Sequence, residues 1–377
     1  MNMGIFKTFF MLIISCFVFN LMFYASAIAG QFDKVELTEE ELIEGSKSEK
    51  ELVFYTSIPS KSVPKFLNAF KARYPWVKTN FIRSGGPVLA QKFYAEKGRK
   101  IEKVDVINSG AAEVYPDWRN KGYIAKIDNL PEYSHIRPIG KSPKGHYAAL
   151  GFVSHPMIWN SKLLKREDVP DDLWEFTKEE WKGKTAAGNP AIGGAAMSWF
   201  SWVCDCRKQH PVGNRPPSAL GTEWIEAMRK NEILLPGQVG SLTNAIVTGQ
   251  RAIALQQWIG VLPPAFEEGA PLDYKYPLQG TIGQFWIAAV NKKAPHPYTA
   301  RLFLNWFLKE EAQKIFIKQL AMHPSRKNVD VQKYFPFKNG TVSFDQLWFV
   351  DLESIGPKET KAFVKKVMEG ISGEAVK

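Results

Sequence analysis

Short apolar runs alternate with amphipathic stretches along most of the chain. In the first part, the runs Leu52–Tyr55, Val77–Ile82 and Val104–Ile107 are typical of strands. Between them, residues 62–74 and 87–97 carry apolar side chains at helical spacing. The resulting order of strand, helix, strand, helix, strand predicts a parallel sheet covered by helices.

The second part of the chain continues in the same style. The chain has 377 residues, of which 45% are hydrophobic, which is enough for two medium-sized domains with cores. The predicted strands are Val153–Trp159, Thr185–Ala187, Ala252–Leu255 and Trp286–Val290. The predicted helices are Trp224–Lys230, Ser241–Thr248, Thr299–Phe307 and Lys309–Leu320, with another helix opening within Asn189–Ala196.

The first 29 residues have the pattern of an export signal. Lys7 is their only charged residue, residues 8–24 are almost wholly apolar, and small residues follow up to Ala29. This pattern predicts a cleavable signal peptide, cut after Ala29, and therefore a periplasmic protein. An uncleaved membrane anchor and a lipoprotein cleavage box ending at Cys16 are the alternatives. Residues 30–50 are acidic and polar and are predicted to be a flexible lead-in.

Charge and cysteine content narrow the class of function. The formal net charge is +11, and for an exported protein this favours an anionic small molecule or membrane surface over nucleic acid. Cys204, Cys206 and His210 form a C-x-C-x3-H pattern that lacks the second ligand pair of a zinc site. Buried or locally oxidised thiols are therefore favoured over a metal, and we expect no cofactor.

Small polar residues follow each of the first three predicted strands, at Thr56-Ser57, Ser84-Gly85-Gly86 and Asn108-Ser109-Gly110. Ligands of open α/β sheets bind just beyond the carboxyl ends of the strands, where helix N-termini also favour anions. A bare glycine there lets a ligand approach the backbone, although an ordinary tight turn would have the same composition. The nucleotide-binding and hydrolase motifs G-x-G-x-x-G, G-x-x-x-x-G-K-[ST], G-x-S-x-G and H-E-x-x-H do not occur.

Several stretches, in this order, resemble periplasmic solute-binding proteins of ABC importers, in the branch of ferric-iron and aminoethylphosphonate binders. They are LVFYTSIPS, FLNAFKARYPWVKTNFIRSGGPVLAQKFYAE, KVDVINSG, PMIWNSKLLKREDVPDDLWEFTKEEWKGK, TGQRAIALQ and YPLQGTIGQFWIAAVNKKAPHPYTARLFLNWFLKEEAQKIF. The resemblance implies a type II periplasmic binding fold, with residues 51–145 and 277–325 in lobe 1 and residues 146–276 and 326–377 in lobe 2. It also implies a monomer that closes about a hinge on a small solute and delivers it to a membrane permease, without acting as an enzyme.

Ligand contacts are predicted at strand ends and helix starts in both lobes, mostly at neutral hydrogen-bond donors. In lobe 1 they are Thr56, Ser57, Ser84, Gly85, Asn108 and Ser109. In lobe 2 they are Gly194, Ala195, Ser241, Asn244, Gln257 and Trp258. Trp258 could stack on a ligand or be a core tryptophan between the lobes. Such donors favour a small polar, anionic solute, such as an organophosphonate or a phosphorylated or carboxylated compound.

One departure from the family pattern affects the expected ligand. Ferric binders of this branch have two adjacent tyrosines shortly after the Gly-Glu-x-Ala strand. Here that place holds Gln257 and Trp258, and the nearest tyrosines are Tyr274 and Tyr276. No metal site is therefore predicted. A ferric binder with other ligands and an exported hydrolase using His155 or His323 remain the alternatives.

Overall fold

The computed structural model describes residue 32 and residues 36–191, 194–204, 209–211, 220–237, 240–352 and 357–372. The strands are β1 Glu51–Thr56, β2 Lys78–Arg83, β3 Val106–Ser109, β4 Ala148–Ser154, β5 Met157–Asn160, β6 Thr185–Ala186, β7 Gln209–Pro211, β8 Ile253–Ala254, β9 Leu272–Lys275, β10 Thr281–Val290, β11 His323–Pro324 and β12 Leu347–Val350. The helices are α1 Glu39–Glu49, α2 Val63–Arg73, α3 Gly86–Gly98, α4 Tyr115–Asn120, α5 Gly194–Val203, α6 Gly221–Lys230, α7 Ser241–Val247, α8 Leu262–Glu267, α9 Pro297–Phe307, α10 Glu310–Leu320, α11 Val331–Tyr334 and α12 Pro357–Ser372.

Two mixed sheets organise these elements. The larger sheet has the order β11-β4-β10-β3-β1-β2, with β12 joined to the start of β10 and β7 joined to β12. The smaller sheet has the order β6-β8-β5-β9. The predicted two-sheet α/β architecture is confirmed, but the pairing is mixed where a mostly parallel sheet was expected. The strand β10 runs antiparallel to both β3 and β4, and a hydrophobic pattern does not encode strand direction.

The chain passes from the larger to the smaller sheet at His155-Pro156, between β4 and β5. The single strand predicted over Val153–Trp159 is therefore two strands in different sheets. Pro156 has no backbone N–H to donate to a strand ladder, so the pairing of β4 ends before it. The return passage follows β9, at residues 276–280. The predicted lobe boundaries stay a prediction. They assign β4 and β12 to lobe 2, whereas both strands pair within the larger sheet.

The predicted lead-in contains a packed helix, α1. Thr38 caps it with a complete capping box, which is the sequence signal for a helix start. At its other end, the Glu49 carboxylate accepts hydrogen bonds from the backbone N–H groups of Tyr298 and Thr299, at 3.0 and 2.7 Å. Both donors belong to the first turn of α9, where backbone N–H groups have no acceptor within the helix, so this helix-capping interaction holds α1 against α9.

The C-terminal part of the chain contacts both halves of the protein. Leu347 and Phe349 of β12 are buried in a core cluster with Phe152 and Phe285 of the larger sheet. Trp348, between them, faces a second cluster that also includes residues of α5, α6 and α12. Alternation of side chains along a strand places neighbours on opposite faces.

Across the described residues, no helix is long and apolar enough to cross a membrane.

Candidate functional site

The structure brings the carboxyl ends of β1, β2 and β3 together, as the sequence predicted. The strand β1 lies between β2 and β3, and all three run parallel. The backbone N–H of Ser84 donates to the Thr56 carbonyl at 3.2 Å, and that of Ser57 donates to the Asn108 carbonyl at 3.1 Å. The six residues predicted for lobe 1 therefore lie in one neighbourhood.

Three of the six use their polar side chains within the protein. Thr56 Oγ1 donates to Asn108 Oδ1 at 2.9 Å, and Asn108 Nδ2 donates to the Ile287 carbonyl of β10 at 2.9 Å. Ser109 Oγ accepts from the Ala111 N–H at 3.0 Å. All three side chains are fully buried. Their geometry supports a structural role, in which they fix the strand ends that carry the site.

Ser57 differs from these three because its side chain is partly exposed, so that the proton of its hydroxyl can reach a ligand. Its Oγ accepts from the Gly110 N–H at 3.2 Å and from Trp286 Nε1 at 2.8 Å. A hydroxyl has one donor and two acceptor positions, so both acceptor positions are occupied and the donor remains. Trp286 in turn meets the edge of Trp258, with ring centroids 5.4 Å apart. Ser57 is therefore a preorganised donor beside the boundary between the two sheets.

Ser84-Gly85-Gly86 is both a tight helix start and an open approach to the backbone. A Cβ placed on Gly86 would lie 2.7 Å from Ser109 Oγ and 3.0 Å from the Ala111 nitrogen. A Cβ on Gly85 would meet nothing within 4 Å, and its φ of −62° suits any residue. The second glycine is therefore required by packing, whereas the first leaves space in front of the first turn of α3.

Alanine at Gly86 is expected to lower the free energy of unfolding by about 1–3 kcal/mol, because backbone of the β3 loop must move. Alanine at Gly85 is the matched control and should change it by no more than about 0.5 kcal/mol. Denaturant titration of both variants measures the difference. Equal losses would mean that the packing against Ser109 does not explain the second glycine.

On the side of the smaller sheet, the predicted residues are less concentrated. Gln257 Nε2 donates to Thr243 Oγ1 at 2.9 Å, and its Oε1 accepts from the Trp258 N–H at 2.8 Å. The Trp258 indole N–H is buried and has no partner among the described residues. Ser241 and Asn244 lie in the first turns of α7, half-buried and exposed respectively, and Gly194 and Ala195 open α5.

A small pocket lies between the end of β3, strand β10, helix α5 and the chain after β12. Its lining is mostly apolar, with a few polar groups, as in many small-molecule sites. The lining residues are Gly110, Ala112, Glu113, Met197, Ser198, Ile282, Gly283, Gln284, Phe285, Trp348, Val350 and Leu352. Gly110 also donates to Ser57, so the pocket adjoins the strand-end donors. None of these twelve is among the ligand contacts predicted from the sequence. Strand residues such as Gln284 and Phe285 have the sequence pattern of ordinary sheet or core positions.

Buried polar contacts join the two sheets at the passage between β4 and β5. His155 Nδ1 lies 2.6 Å from Gln256 Nε2, and Gln256 Oε1 accepts from the Gly188 N–H at 3.3 Å. Burial lowers the pKa of His155 to about 3, so the imidazole is neutral. Gln284 Nε2, on the other side, donates to the Gly110 carbonyl at 2.9 Å. Sequence inspection missed both glutamines because neither stands in a motif.

The two tyrosines nearest to the place of the tyrosine pair of ferric binders, Tyr274 and Tyr276, are hydrogen-bonded within the protein. The Tyr276 hydroxyl lies 2.7 Å from Ser154 Oγ and 2.9 Å from Thr341 Oγ1, and burial raises its pKa to about 12. Tyr274 donates to the Gly340 carbonyl at 2.6 Å, and burial raises its pKa also. Within the described ranges, no group of three or more His, Cys, Asp or Glu residues is placed to hold a metal. Cys206 lies outside the described residues, so the interpretation of the C-x-C-x3-H pattern stays a prediction.

Comparison with known proteins identifies the fold and the family. Residues 65–336 match the family of bacterial extracellular solute-binding proteins. A protein of Haemophilus influenzae, described as uncharacterized, is 25% identical over 295 residues, which cover 74% of this chain and 78% of that protein.

Solved structures with the same fold include ABC-transporter and iron-binding proteins. The substrate-binding protein of an ABC transporter from Agrobacterium tumefaciens has a TM-score of 0.71 and 16% identity, covering 85% of this chain and 94% of its own. AfuA from Actinobacillus pleuropneumoniae, with fructose-6-phosphate bound, has a TM-score of 0.68 and 19% identity, covering 85% and 98%. Iron-bound HitA from Pseudomonas aeruginosa has a TM-score of 0.62 and 19% identity, covering 85% and 97%. With more than half of its length matched by the family, the chain belongs to the bacterial extracellular solute-binding proteins, a non-enzymatic family.

Proposed function

We propose that this protein captures a small polar solute with an anionic group between its two lobes and delivers it to a membrane permease. In this proposal the mature chain is a periplasmic monomer, exported by the signal predicted to end at Ala29. The anionic group is a phosphonate, phosphate ester or carboxylate. Its binding position is the carboxyl ends of β1, β2 and β3, with Ser57 as the central donor.

The observation that carries the proposal is the hydroxyl of Ser57, which keeps its proton available to donate and lies beside the open face of Gly85. The first turn of α3 holds no acidic residue, so its backbone N–H groups face no competing carboxylate from that turn. Arg83, the last residue of β2, donates from Nε to the Ile58 carbonyl at 3.3 Å, which places a cation by the same loop. Backbone donors, a hydroxyl and a guanidinium together favour an anion.

Glu113 limits where the anionic group can be placed. Its half-buried carboxyl lines the pocket near β10 and would repel a negative charge there. The proposal therefore places the anion at the Ser57 end and the remainder of the solute in the pocket. An amine on that remainder would be compatible with Glu113, as in an aminoalkyl phosphonate.

Hinge closure provides the mechanism. His155-Pro156 and residues 276–280 connect strands of the two sheets directly, and rotation about these two passages would open and close the space between lobes; the chain also crosses between the sheets before and after β7. A solute that contacts both lobes makes those contacts only in the closed arrangement and shifts the population toward it. The closed arrangement is the one that a permease would recognise.

Ferric iron is the second candidate, and the solved structure of iron-bound HitA motivates it. Tyrosinate ligation would require that a phenol lose its proton, and burial opposes this at both Tyr274 and Tyr276. Each phenol is also hydrogen-bonded within the protein. These contacts favour the organic anion over iron held by tyrosine.

Thermal melting with a ligand panel tests the proposal. The panel contains aminoethylphosphonate, fructose-6-phosphate, small dicarboxylates, polyamines and ferric citrate. An anion at 100 times its dissociation constant should add about 2.7 kcal/mol of stability, and thus a shift of several degrees. A shift with polyamines or ferric citrate alone would contradict the anionic class.

Replacement of Ser57 by alanine should then weaken binding of the anion found in the panel by about 10- to 100-fold. A hydrogen bond to a charged group contributes about 1.5–3 kcal/mol, which corresponds to that range. Titration calorimetry measures the change. Ser109→Ala is the control, since that hydroxyl is buried and bonded within the protein, and an equal loss there would reject Ser57 as the donor.

A further inference from the structure

Three residues of the pocket lie beyond the family match. The match ends at residue 336, whereas Trp348, Val350 and Leu352 form part of the lining. The strand β12 places them there by pairing with β10, with Leu347 opposite Thr281 and Trp348 opposite Ile282. The wall formed by Trp348, Val350 and Leu352 is therefore supplied by a segment that the family pattern does not include.

The position of this wall is tightly determined. A Cβ on Gly283 of β10 would overlap the ring of Phe349, so β10 has a glycine where that ring rests. Phe349 is fully buried against Phe152 and Phe285. Because neighbouring strand residues point to opposite faces, the seating of Phe349 directs Trp348 toward Ile282 and α5, which also line the pocket.

The Trp348 indole has an unused donor. Its side chain is 4% exposed, and Nε1 has no hydrogen-bond partner among the described residues. Buried indole N–H groups usually find a partner, and an unmade hydrogen bond there is costly. The same pocket offers the apolar side chains of Met197 and Phe285, and the hydroxyl of Ser198.

We infer that Trp348 is a specificity-determining residue, and that the cleft takes solutes in which the charged group is joined to a ring or other apolar part. The inference rests on the proposed function for the position of the charged group. The apolar part would lie against Trp348, Val350 and Leu352, and an acceptor atom on it would satisfy the Trp348 N–H. A small ion without an apolar part would leave the wall without contacts.

Two pairs of probes test this on the full chain by calorimetry. One pair is phenylphosphonate and methylphosphonate, and the other is benzylamine and methylamine. We expect phenylphosphonate to bind about tenfold or more tighter than methylphosphonate, because the ring is removed from water. Trp348→Ala should bring that ratio close to one and change methylphosphonate binding by less than about twofold.

Trp348→Phe serves as the second variant, since it keeps an aromatic ring and removes only the N–H. It should preserve most of the ring preference, and melting without ligand checks that both variants fold. The inference would be overturned if phenylphosphonate bound no tighter than methylphosphonate, or if Trp348→Ala left the ratio of their affinities unchanged. Either result would leave the proposed anionic site unaffected. If only benzylamine binds, and does so through Trp348, the wall is supported and the anionic class fails. If neither ring compound binds, the inference is wrong.

Discussion

Replacing Phe349 with alanine is expected to lower the free energy of unfolding by about 3–5 kcal/mol. The ring is fully buried, with centroids 5.1 Å from those of both Phe152 and Phe285, and it covers Gly283. Removing it would leave a cavity between β12 and the larger sheet and weaken the attachment of the whole C-terminal segment. Denaturant titration, with the slope compared to the parent, measures the loss.

Phe81→Ala is the matched control, since Phe81 lies on the edge strand β2 with 41% of its surface exposed. That change should stay within about 0.5 kcal/mol. A loss below about 1 kcal/mol for Phe349→Ala would mean that β12 is not anchored by this ring. The position of Trp348 in the pocket would then lose its support too.

Acidification is expected to destabilise the protein through two buried histidines. Burial lowers the pKa values of His155 and His323 to about 3 each. In the unfolded chain, an imidazole binds a proton near its ordinary pKa of about 6.5. Between these values the unfolded state holds more protons, so stability is lost as the pH falls. Each histidine should contribute about 1.4 kcal/mol per pH unit over that window.

Variants separate these two residues from the carboxylates that act in the same direction. Among the carboxyls, burial raises the pKa values of Glu39 and Asp117, but hydrogen bonds and nearby positive charge together lower them: from Lys309 and Tyr74 at Glu39, and from Lys121 and Tyr94 at Asp117. His155→Gln or His323→Gln should reduce the slope of unfolding free energy between pH 6 and 4.5 by about 1.4 kcal/mol per unit. His135→Gln should leave it unchanged, because that side chain is exposed and folding buries no imidazole there. An unchanged slope in His155→Gln and His323→Gln would contradict the neutral, buried state.

Local periodicity and turn chemistry determined most of the elements from the sequence. The strands and helices of the first part, β1 to β3 with α2 and α3, lie within a few residues of their predicted bounds. The neighbourhood of Ser57, Ser84 and Asn108 was also predictable, because parallel strands end at one edge of a sheet. In each case the information is carried by residues close in the chain.

Tertiary structure alone decided which of these side chains remain available. Thr56 and Asn108 look as polar as Ser57 in sequence, yet their hydrogen bonds are made to each other and to β10. The direction of β10 and the division of 153–159 between two sheets depend on pairing partners more than 100 residues away. Trp348 came to line the pocket for the same reason: pairing of β12 with β10 joins segments distant in the chain, and hydrophobic pattern records burial but not the partner.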